Sequence, residues 1–240
     1  MRRTTMPSTQ TNALLSVQNV TKSFGAVRAL KGISFDIHPN EIVALVGDNG
    51  AGKSTLVKIM AGVHTPTTGN LVFDGHSRAF KTPAEAMDAG IETVYQDLAL
   101  IEELDVADNV FLGRERYVGG KLGQHLGLLD RRRMRKETAE ALKQLHINIP
   151  EPTLSVRRMS GGQRQAVAIG RGITWGRKLL LLDEPTAALG VEESEQVLSL
   201  IERVKAEGRM TFMIISHNMQ DVHRMADRII VLRQGTHVAT

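Results

Sequence analysis

The chain has 240 residues, of which 42% are apolar, which fits one α/β domain, alone or with a small subdomain. The formal net charge of +4, from 30 basic and 26 acidic residues, favours a solvated mixed surface over a nucleic-acid-binding surface, although the sequence pI is about 9.5. The absence of cysteine excludes a disulfide framework and a thiolate metal site, and no apolar run approaches the roughly 20 residues that span a bilayer.

The first part of the chain predicts a tail and then two strands. Residues 1–13 are polar without an amphipathic run, which indicates a disordered tail rather than a transit peptide, with order beginning near Leu14. Alternating apolar residues predict antiparallel strands at 15–24 and 33–37. Phe24 ends the first of them. An aromatic ring there can stack on a flat base, whereas a lone phenylalanine is more often an ordinary core residue.

A glycine-rich motif follows the next predicted strand, Ile42–Val46, and precedes a predicted helix at 56–61. It fits Gly-x-x-x-x-Gly-Lys-[Ser/Thr], the phosphate-binding P-loop, in the strand–loop–helix context that this motif requires. The flanking strand and helix disfavour the alternative, a glycine-rich turn with a chance lysine. The predicted nucleotide-binding residues of the segment are Gly47, Asp48, Asn49, Gly50, Ala51, Gly52, Lys53, Ser54 and Thr55.

The residue types of this loop suit a bound phosphate chain. Glycines let the backbone approach a phosphate without an intervening Cβ, and successive N–H groups at a helix N-terminus form an anion nest. Lys53 adds a point charge that reaches the β- and γ-phosphates. The Ser54 hydroxyl suits one position on Mg²⁺, and Thr55 suits the α-phosphate side.

The middle of the chain offers weaker signals. Gln96 follows a predicted strand at 91–95, at the sheet edge where open parallel sheets bind ligands. The glycine-rich stretch 119–127 is interpreted as a mobile loop. Asp130 caps a predicted helix whose first turns, 131–136, are strongly basic. This cluster fits phosphate or an acidic partner, but a solvated helix face is the favoured interpretation.

Two motifs stand in the second half of the chain. The first begins a helical pattern, with Ser160 as a predicted N-cap, and is another anion-ready arrangement; its residues are Ser160, Gly161, Gly162 and Gln163. The second is the apolar run 179–182, typical of a strand buried on both faces, which ends in Asp183 and Glu184. We predict that Asp183 holds Mg²⁺ through water and that Glu184 is a general base toward water. The upstream P-loop disfavours a chance surface pair.

A further buried strand is predicted at 211–215, and it ends in Ser216 and His217. A lone histidine is usually structural. At the carboxyl end of a strand in a P-loop fold, however, we expect His217 to face the γ-phosphate.

Together these stretches resemble the ATP-binding cassette (ABC) ATPases from about Leu14 to the end of the chain. The segment from Met159 to Gln163, one helix ahead of the two acids, looks like the ABC signature, and this combination is highly specific. The resemblance implies an α/β P-loop NTPase fold with a mostly parallel core sheet, an N-terminal antiparallel β-subdomain and an inserted α-helical subdomain. It divides a single domain, 14–240, into a core plus β-subdomain (14–95 and 160–240) and a helical subdomain (about 97–175).

The resemblance also implies ATP hydrolysis and assigns roles to single residues. Phe24 is then the aromatic that stacks on adenine, Gln96 is the glutamine that touches Mg²⁺ and senses a membrane partner, and His217 is the switch histidine. The signature residues Ser160, Gly161, Gly162 and Gln163 bind the γ-phosphate of ATP held by the opposite subunit. The implied catalytic residues are Glu184, His217 and Lys53, and the implied metal ligands are Ser54, Gln96 and Asp183.

Partners and location follow from the same resemblance. The family works as a head-to-tail dimer that encloses two ATP molecules, so we expect a homodimer on ATP binding. Residues 98–116 correspond to the part that usually contacts the coupling helix of a membrane permease. The implied partners are integral membrane permease subunits and, indirectly, a periplasmic sugar-binding protein, with nucleic acid not expected. The implied location is peripheral, on the cytoplasmic face of the inner membrane.

Small departures refine this hypothesis. The signature begins with Met159 where leucine is common, and Gly190 replaces the usual aspartate after the second acidic motif, which removes a carboxylate from the expected dimer contact. The segments 95–97, 109–114 and 185–191 look like the cassettes of bacterial monosaccharide importers. We therefore expect an ATPase that powers import of a solute, a monosaccharide.

Two other functions stay open at this point. One is a soluble ABC ATPase acting on nucleic acid or ribosomes, which the basic pI and the cluster at 131–136 favour slightly. The other is a nucleotide-binding regulator without turnover, which the presence of Glu184 and His217 disfavours.

Overall fold

The computed structural model describes residues 13–149, 151–187 and 189–240, so the predicted tail, apart from Ala13, lies outside the described residues. Within these ranges the chain forms ten β-strands and eight α-helices. The strands are β1 Leu15–Phe24, β2 Val27–Ile37, β3 Ile42–Val46, β4 Thr68–Phe73, β5 His76–Arg78, β6 Ile91–Val94, β7 Leu179–Asp183, β8 Thr211–Ile215, β9 Arg228–Arg233 and β10 Thr236–Ala239. The helices are α1 Lys53–Met60, α2 Pro83–Ala89, α3 Val106–Val110, α4 Lys121–His125, α5 Arg131–Gln144, α6 Gly161–Trp175, α7 Val191–Ala206 and α8 Met219–Met225.

The core sheet has the strand order β10-β9-β3-β8-β7-β6, and every pairing except β10–β9 is parallel. Its central strands are buried on both faces. Leu179 and Leu181 of β7 join one hydrophobic cluster with helix α1, whereas Leu180 and Leu182 join another with α6 and α7. A parallel strand covered on both sides reads as an unbroken apolar run. The predicted mostly parallel core sheet is confirmed, and it places the carboxyl ends of β3, β6, β7 and β8 at one edge.

A second, antiparallel sheet has the order β2-β1-β4-β5. The predicted first strand is confirmed, but the prediction of a strand at 33–37 was too short, because β2 begins at Val27 and pairs with β1 as far as Phe24. Gly32, with φ +100°, lies inside β2, and a Cβ there would approach Oδ1 of Asn19 to 2.6 Å. Gly32 interrupts the alternation of apolar and polar residues. The sequence pattern therefore predicted only the part of β2 that follows this glycine.

Most of the helices between β6 and β7 share a third hydrophobic cluster. It contains Val106, Val110, Phe111, Met134, Leu142, Val156, Met159 and Val167. The expectation of a loop at 119–127 is wrong, because α4 occupies Lys121–His125 and the N–H group of Leu128 donates to the carbonyl of Gly123 at 2.8 Å. Whether about 97–175 behaves as a separate subdomain stays a prediction. Across the described ranges, no helix has the length and hydropathy to cross a membrane.

Four of the five basic residues at 131–136 of α5 pair with acids within the chain. Asp130 caps this helix by accepting from the N–H group of Arg133 at 3.0 Å, as predicted. The ion pairs are Arg131–Asp108 at 3.7 Å, Arg133–Glu137 at 2.6 Å, Arg135–Asp105 at 3.2 Å and Lys136–Glu140 at 3.9 Å. Acids of the same chain therefore face these cations, which favours the solvated helix face over a nucleic-acid surface.

Candidate active site

The P-loop forms the turn between β3 and α1, and its glycines adopt backbone conformations that favour glycine. The φ angles are +152° at Gly47, +80° at Gly50 and +102° at Gly52. A Cβ on Gly47 would lie 2.2 Å from the carbonyl oxygen of Leu232, and one on Gly52 would lie 2.7 Å from Cδ2 of Leu30, whereas nothing lies within 4 Å of one on Gly50. Gly47 and Gly52 thus let neighbouring segments pack closely against the loop, whereas the face of the loop at Gly50 is open.

The loop is braced by the turn that joins β9 to β10. The N–H group of Gly235 donates to the carbonyl of Ala51 at 3.0 Å, and the carbonyl of Gly235 accepts from Lys31 at 2.8 Å. Within the loop, Ala51 donates to the carbonyl of Asp48 at 3.0 Å. The loop's shape therefore depends on two distant parts of the chain, which the motif itself does not reveal.

Lys53, Ser54 and Thr55 lie in the first turn of α1. The Lys53 ammonium donates to the carbonyls of Gly47 at 2.6 Å and Asp48 at 3.1 Å, so it is held against the start of the loop. A cavity of about 530 Å³ opens here, within the range of small-molecule sites. It is lined by residues 49–55 together with Val27, Arg28, Ala29, Lys31 and Gln234. Arg28 and Lys31 add cations that no sequence motif had identified.

Phe24 stands next to this cavity. The residue is 45% exposed, so the core interpretation is wrong. The ring meets that of His64 edge-on at 5.2 Å, and Nζ of Lys22 lies 5.1 Å from its centroid. Phe24 pairs across the strands with Val27, which lines the cavity. An exposed aromatic surface at the rim suits a flat ring.

Asp183 and Glu184 end β7, at the sheet edge that carries the P-loop. Burial raises the pKa of Asp183, and the charge of Glu184 raises it further, while Lys53 and Lys58 oppose this shift. An anion in a partly desolvated position gains free energy from a nearby cation. The site is therefore suited to a positive ion next to Asp183.

Glu184 has a strained backbone, with φ +53°. Such a conformation costs about 1–3 kcal/mol in a residue with a side chain and clusters at active sites. It is held by the N–H group of Glu184, which donates to the carbonyl of Ile215 at 2.9 Å. Oε1 of the largely buried carboxylate lies 2.8 Å from Nδ1 of His217, whose side chain is 77% exposed. The structure thus brings two of the predicted catalytic residues into contact.

Gln96 is exposed and follows β6 at the same sheet edge. Val94 is in register with Leu182, so Gln96 and Glu184 each follow one of two neighbouring parallel strands at the same sheet edge. The N–H group of Leu98 donates to the carbonyl of Tyr95 at 2.9 Å and closes a turn around Gln96.

The signature residues begin α6, as predicted. Oγ of Ser160 accepts from the N–H group of Gln163 at 3.2 Å, and Oε1 of Gln163 accepts from the N–H group of Ser160 at 3.1 Å, which is a capping box. Among the described residues that line the P-loop cavity, none belongs to 160–163. The chain therefore carries two anion-ready helix starts at different places.

Glu193 is a feature that the sequence analysis missed. Its Oε2 accepts from the N–H group of Gly190 at 3.3 Å. Hydrogen bonds from Gly190, from Gly162 and from the Ser160 hydroxyl, in that order, lower the pKa of Glu193. A carboxylate thus joins the starts of α6 and α7, although Gly190 itself has none. The sequence signal for this contact was the spacing of Gly190 and Glu193, since a glutamate three residues after an N-cap can accept from the N-cap N–H group.

Packing at the signature motif yields a paired prediction. A Cβ on Gly162 would lie 2.8 Å from Cβ and Cγ of Glu193, whereas one on Gly161 meets only Cδ2 of Leu189 at 3.5 Å. We expect Gly162→Ala to lower the free energy of unfolding by about 1–3 kcal/mol through overpacking. Gly161→Ala should leave it unchanged or raise it by up to about 1 kcal/mol through helix propensity. Urea unfolding of both variants measures this, and equal effects would contradict the packing described.

Comparison with known proteins gives consistent results. A sequence profile described as ABC transporter matches residues 30–187. The xylose/arabinose import ATP-binding protein XylG of Sulfolobus acidocaldarius is 48% identical over 222 residues, which are 92% of this chain and 85% of that protein. The fructose import ATP-binding protein FrcA of Rhizobium meliloti is 45% identical over 92% of this chain and 85% of its own length. A ribose import ATP-binding protein, RbsA 2 of Burkholderia ambifaria, is 40% identical, but this chain spans only 44% of it.

Solved structures agree with the fold. An ATP-binding cassette of an ABC transporter in its ADP conformation superimposes with a TM-score of 0.80 at 26% identity, over 95% of this chain and 91% of that one. A dimeric cassette in a post-hydrolysis state, bound to ADP and Pi, superimposes with a TM-score of 0.76 at 27% identity, over 94% and 97% of the two chains.

Proposed function

This chain belongs to the ABC transporter family, and we propose that it is the ATP-hydrolysing subunit that powers import of a monosaccharide through separate membrane permease subunits. The observation that carries the hydrolysis in this proposal is the Glu184–His217 pair at the sheet edge that also bears the P-loop. A binding-only nucleotide protein has no need of a strained, buried carboxylate at that place.

The P-loop residues bind and orient the nucleotide. The N–H groups of residues 47–55 and the start of α1 receive the phosphates, and Gly50 leaves the loop face open to them. Lys53, now donating to the loop carbonyls, moves its hydrogen bonds to the β- and γ-phosphates. Phe24 offers an exposed ring to the base.

The residues at the sheet edge fit Mg²⁺. Ser54, Gln96 and Asp183 would supply oxygen ligands, directly or through water, and hard oxygen donors suit this ion. The raised pKa of Asp183 reflects a carboxylate that gains from a cation. When bound, Mg²⁺ neutralises charge that develops on the phosphates.

Glu184 acts as the general base. Its carboxylate faces the sheet edge and accepts a proton from the water that attacks the γ-phosphate. His217, at 2.8 Å, fixes the carboxylate orientation and presents its exposed ring toward the γ-phosphate position. In-line attack needs this positioning more than covalent chemistry, because phosphoryl transfer is driven by orientation and charge stabilisation.

The second half of each site comes from a second copy of the chain. Since the signature residues do not line their own P-loop cavity, we propose that Ser160, Gly161, Gly162 and Gln163 bind the γ-phosphate of ATP held by the other subunit. ATP then joins two subunits, and loss of the γ-phosphate releases them. Glu193 lies between the signature and Gly190 and would meet this interface.

We further propose that the permease docks at the helical part, about 97–175, on the cytoplasmic face of the inner membrane. A cavity of about 570 Å³ lies there between α2, α6 and the segment after α3. Its lining includes Met87, Arg114, Arg116, Trp175 and Arg177. Arg114 and Arg116 lie within 98–116, the segment that the resemblance associates with the coupling helix. A periplasmic sugar-binding protein acts only indirectly, through the permease.

The substrate class follows from the relatives, whose names specify import of xylose or arabinose, fructose and ribose. These are all monosaccharides. The identity of the sugar is set by the permease and the binding protein, because this chain supplies only free energy from ATP.

A pull-down from detergent-solubilised native membranes tests the function. The bait is the Glu184→Gln chain with ATP and Mg²⁺. We expect recovery of an integral membrane permease whose gene neighbourhood includes a sugar-binding protein. Met87→Asp in the same bait should abolish this recovery, because Met87 is an exposed apolar wall of the groove. Recovery of ribosomes or nucleic acid instead would overturn the transport function.

A further inference from the structure

The turn after Gln96 is strained. Leu98 and Ala99 are consecutive residues with side chains, yet their φ angles are +61° and +47°. This left-handed conformation is unfavourable for residues with a Cβ. Two such residues in succession persist only where the surrounding structure holds them, so some group must fix this turn.

Arg171 of α6 is that group. Its Nη1 donates to the carbonyl of Ala99 at 2.9 Å, and its Nη2 donates to the carbonyl of Leu98 at 3.0 Å. The planar guanidinium therefore spans both strained residues at once. A lysine ammonium is a single point charge and does not reproduce this fork. The side chain of Leu98 also packs against the core cluster beneath the turn.

The charge surroundings of Arg171 include the strand that precedes Gln96. Burial lowers the pKa of Arg171, the Glu92 carboxylate of β6 opposes this, and the nearby charge of Arg114 adds to the lowering. Glu92 also pairs with Arg114, whose guanidinium lies 5.2 Å from the ring of Trp175. The hydrogen bonds of the half-buried Arg171 thus go to the turn after Gln96, and Glu92 of β6, before Gln96, is a nearby counter-charge.

We propose that Arg171 is a positioning residue for Gln96. It does not touch the nucleotide; it fixes the turn that aims the Gln96 amide at the Mg²⁺–nucleotide site. The inference rests on the proposed function, in which Gln96 meets the metal. Loss of the fork would let the 98–99 turn relax to ordinary backbone angles and move Gln96 away from that position.

The test compares Arg171→Lys and Arg171→Met in the Glu184→Gln chain. Amide hydrogen exchange of residues 97–101 reports the turn without any nucleotide, and we expect it to be about tenfold or more faster in both variants. The Mg²⁺ concentration for half-maximal ATP binding, measured by calorimetry, should rise about tenfold, the usual loss for a group that orients a metal ligand. ATP affinity without Mg²⁺ should not change.

Arg164 provides the matched control. It lies on the same helix and pairs at 3.2 Å with the exposed Glu102, so Arg164→Met should alter neither readout. A lower melting temperature for the Arg171 variants, with exchange and Mg²⁺ dependence as in the parent, would overturn the inference and leave only a structural role. Exchange and Mg²⁺ dependence of Arg171→Lys equal to those of the parent would also overturn it, because a lysine would then replace the guanidinium fork. If the parent itself binds ATP without any Mg²⁺ dependence, the proposed metal role fails, and the exchange readout alone decides the positioning.

Discussion

Glu184→Gln should lower the rate of ATP hydrolysis about 10²–10⁴-fold, the usual contribution of a general base. Glutamine preserves the size of the side chain and can still bond to His217, which lies 2.8 Å from the carboxylate. It cannot accept the proton of the attacking water. Because binding groups are untouched, the variant should accumulate as an ATP-bound dimer, which size-exclusion chromatography with ATP and Mg²⁺ detects.

The prediction is specific to this carboxylate. Glu207→Gln changes an exposed acid that pairs with Arg209 at 3.1 Å, and hydrolysis should not change. A retained melting temperature would show that the strained backbone at residue 184, with φ +53° in the parent, tolerates glutamine, and a loss of turnover would then report chemistry rather than misfolding. A Glu184→Gln chain that hydrolyses ATP at the parental rate would remove Glu184 from the mechanism.

The parts of the site that could be predicted are those whose residues lie together in one short segment of the sequence. The P-loop is contained in residues 47–55 and flanked by its own strand and helix, so local pattern sufficed. The apolar run of β7 predicted a strand that is buried on both faces. The two acids that follow this run in the sequence were therefore expected at the end of the strand. The sequence analysis placed Glu184 and His217 each at a strand end, and their contact follows because β7 and β8 are neighbouring parallel strands whose carboxyl ends share one edge.

The parts that could not be predicted depend on contacts between distant segments. Arg171 reaches the carbonyls of Leu98 and Ala99, from which it is separated in the chain by helices α3, α4 and α5. The brace of Gly235 on the P-loop is likewise a backbone contact without a side-chain signal. The strain at Glu184 has the same character, because a glutamate in the sequence does not reveal a positive φ. Such features emerge only after packing has overridden local preference.

Lys53→Ala should weaken ATP binding about 10²-fold and abolish measurable hydrolysis at ordinary ATP concentrations. Hydrogen bonds to charged groups contribute about 1.5–3 kcal/mol each, and a tenfold change in affinity corresponds to about 1.4 kcal/mol. The side chain now donates to the carbonyls of Gly47 and Asp48. Removing it takes a point charge away from a cavity whose remaining cations, Arg28 and Lys31, come from strand β2. Calorimetric titration with ATP measures the effect.

The loss of ATP affinity in Lys53→Ala separates the contribution of the lysine charge from that of the P-loop backbone. The Gly235–Ala51 bond does not involve the Lys53 side chain, so we expect the anion nest to remain in the Lys53→Ala chain. The ATP affinity that remains in Lys53→Ala therefore measures the contribution of the anion nest. The difference between the ATP affinities of the parent and the variant measures the contribution of the Lys53 ammonium. Raising salt should reduce that difference, because screening weakens a charge at the mouth of an open site. Lys136→Ala, which removes an exposed cation of α5, should leave ATP affinity unchanged; an equal loss in both variants would contradict the assignment of Lys53 to the phosphates.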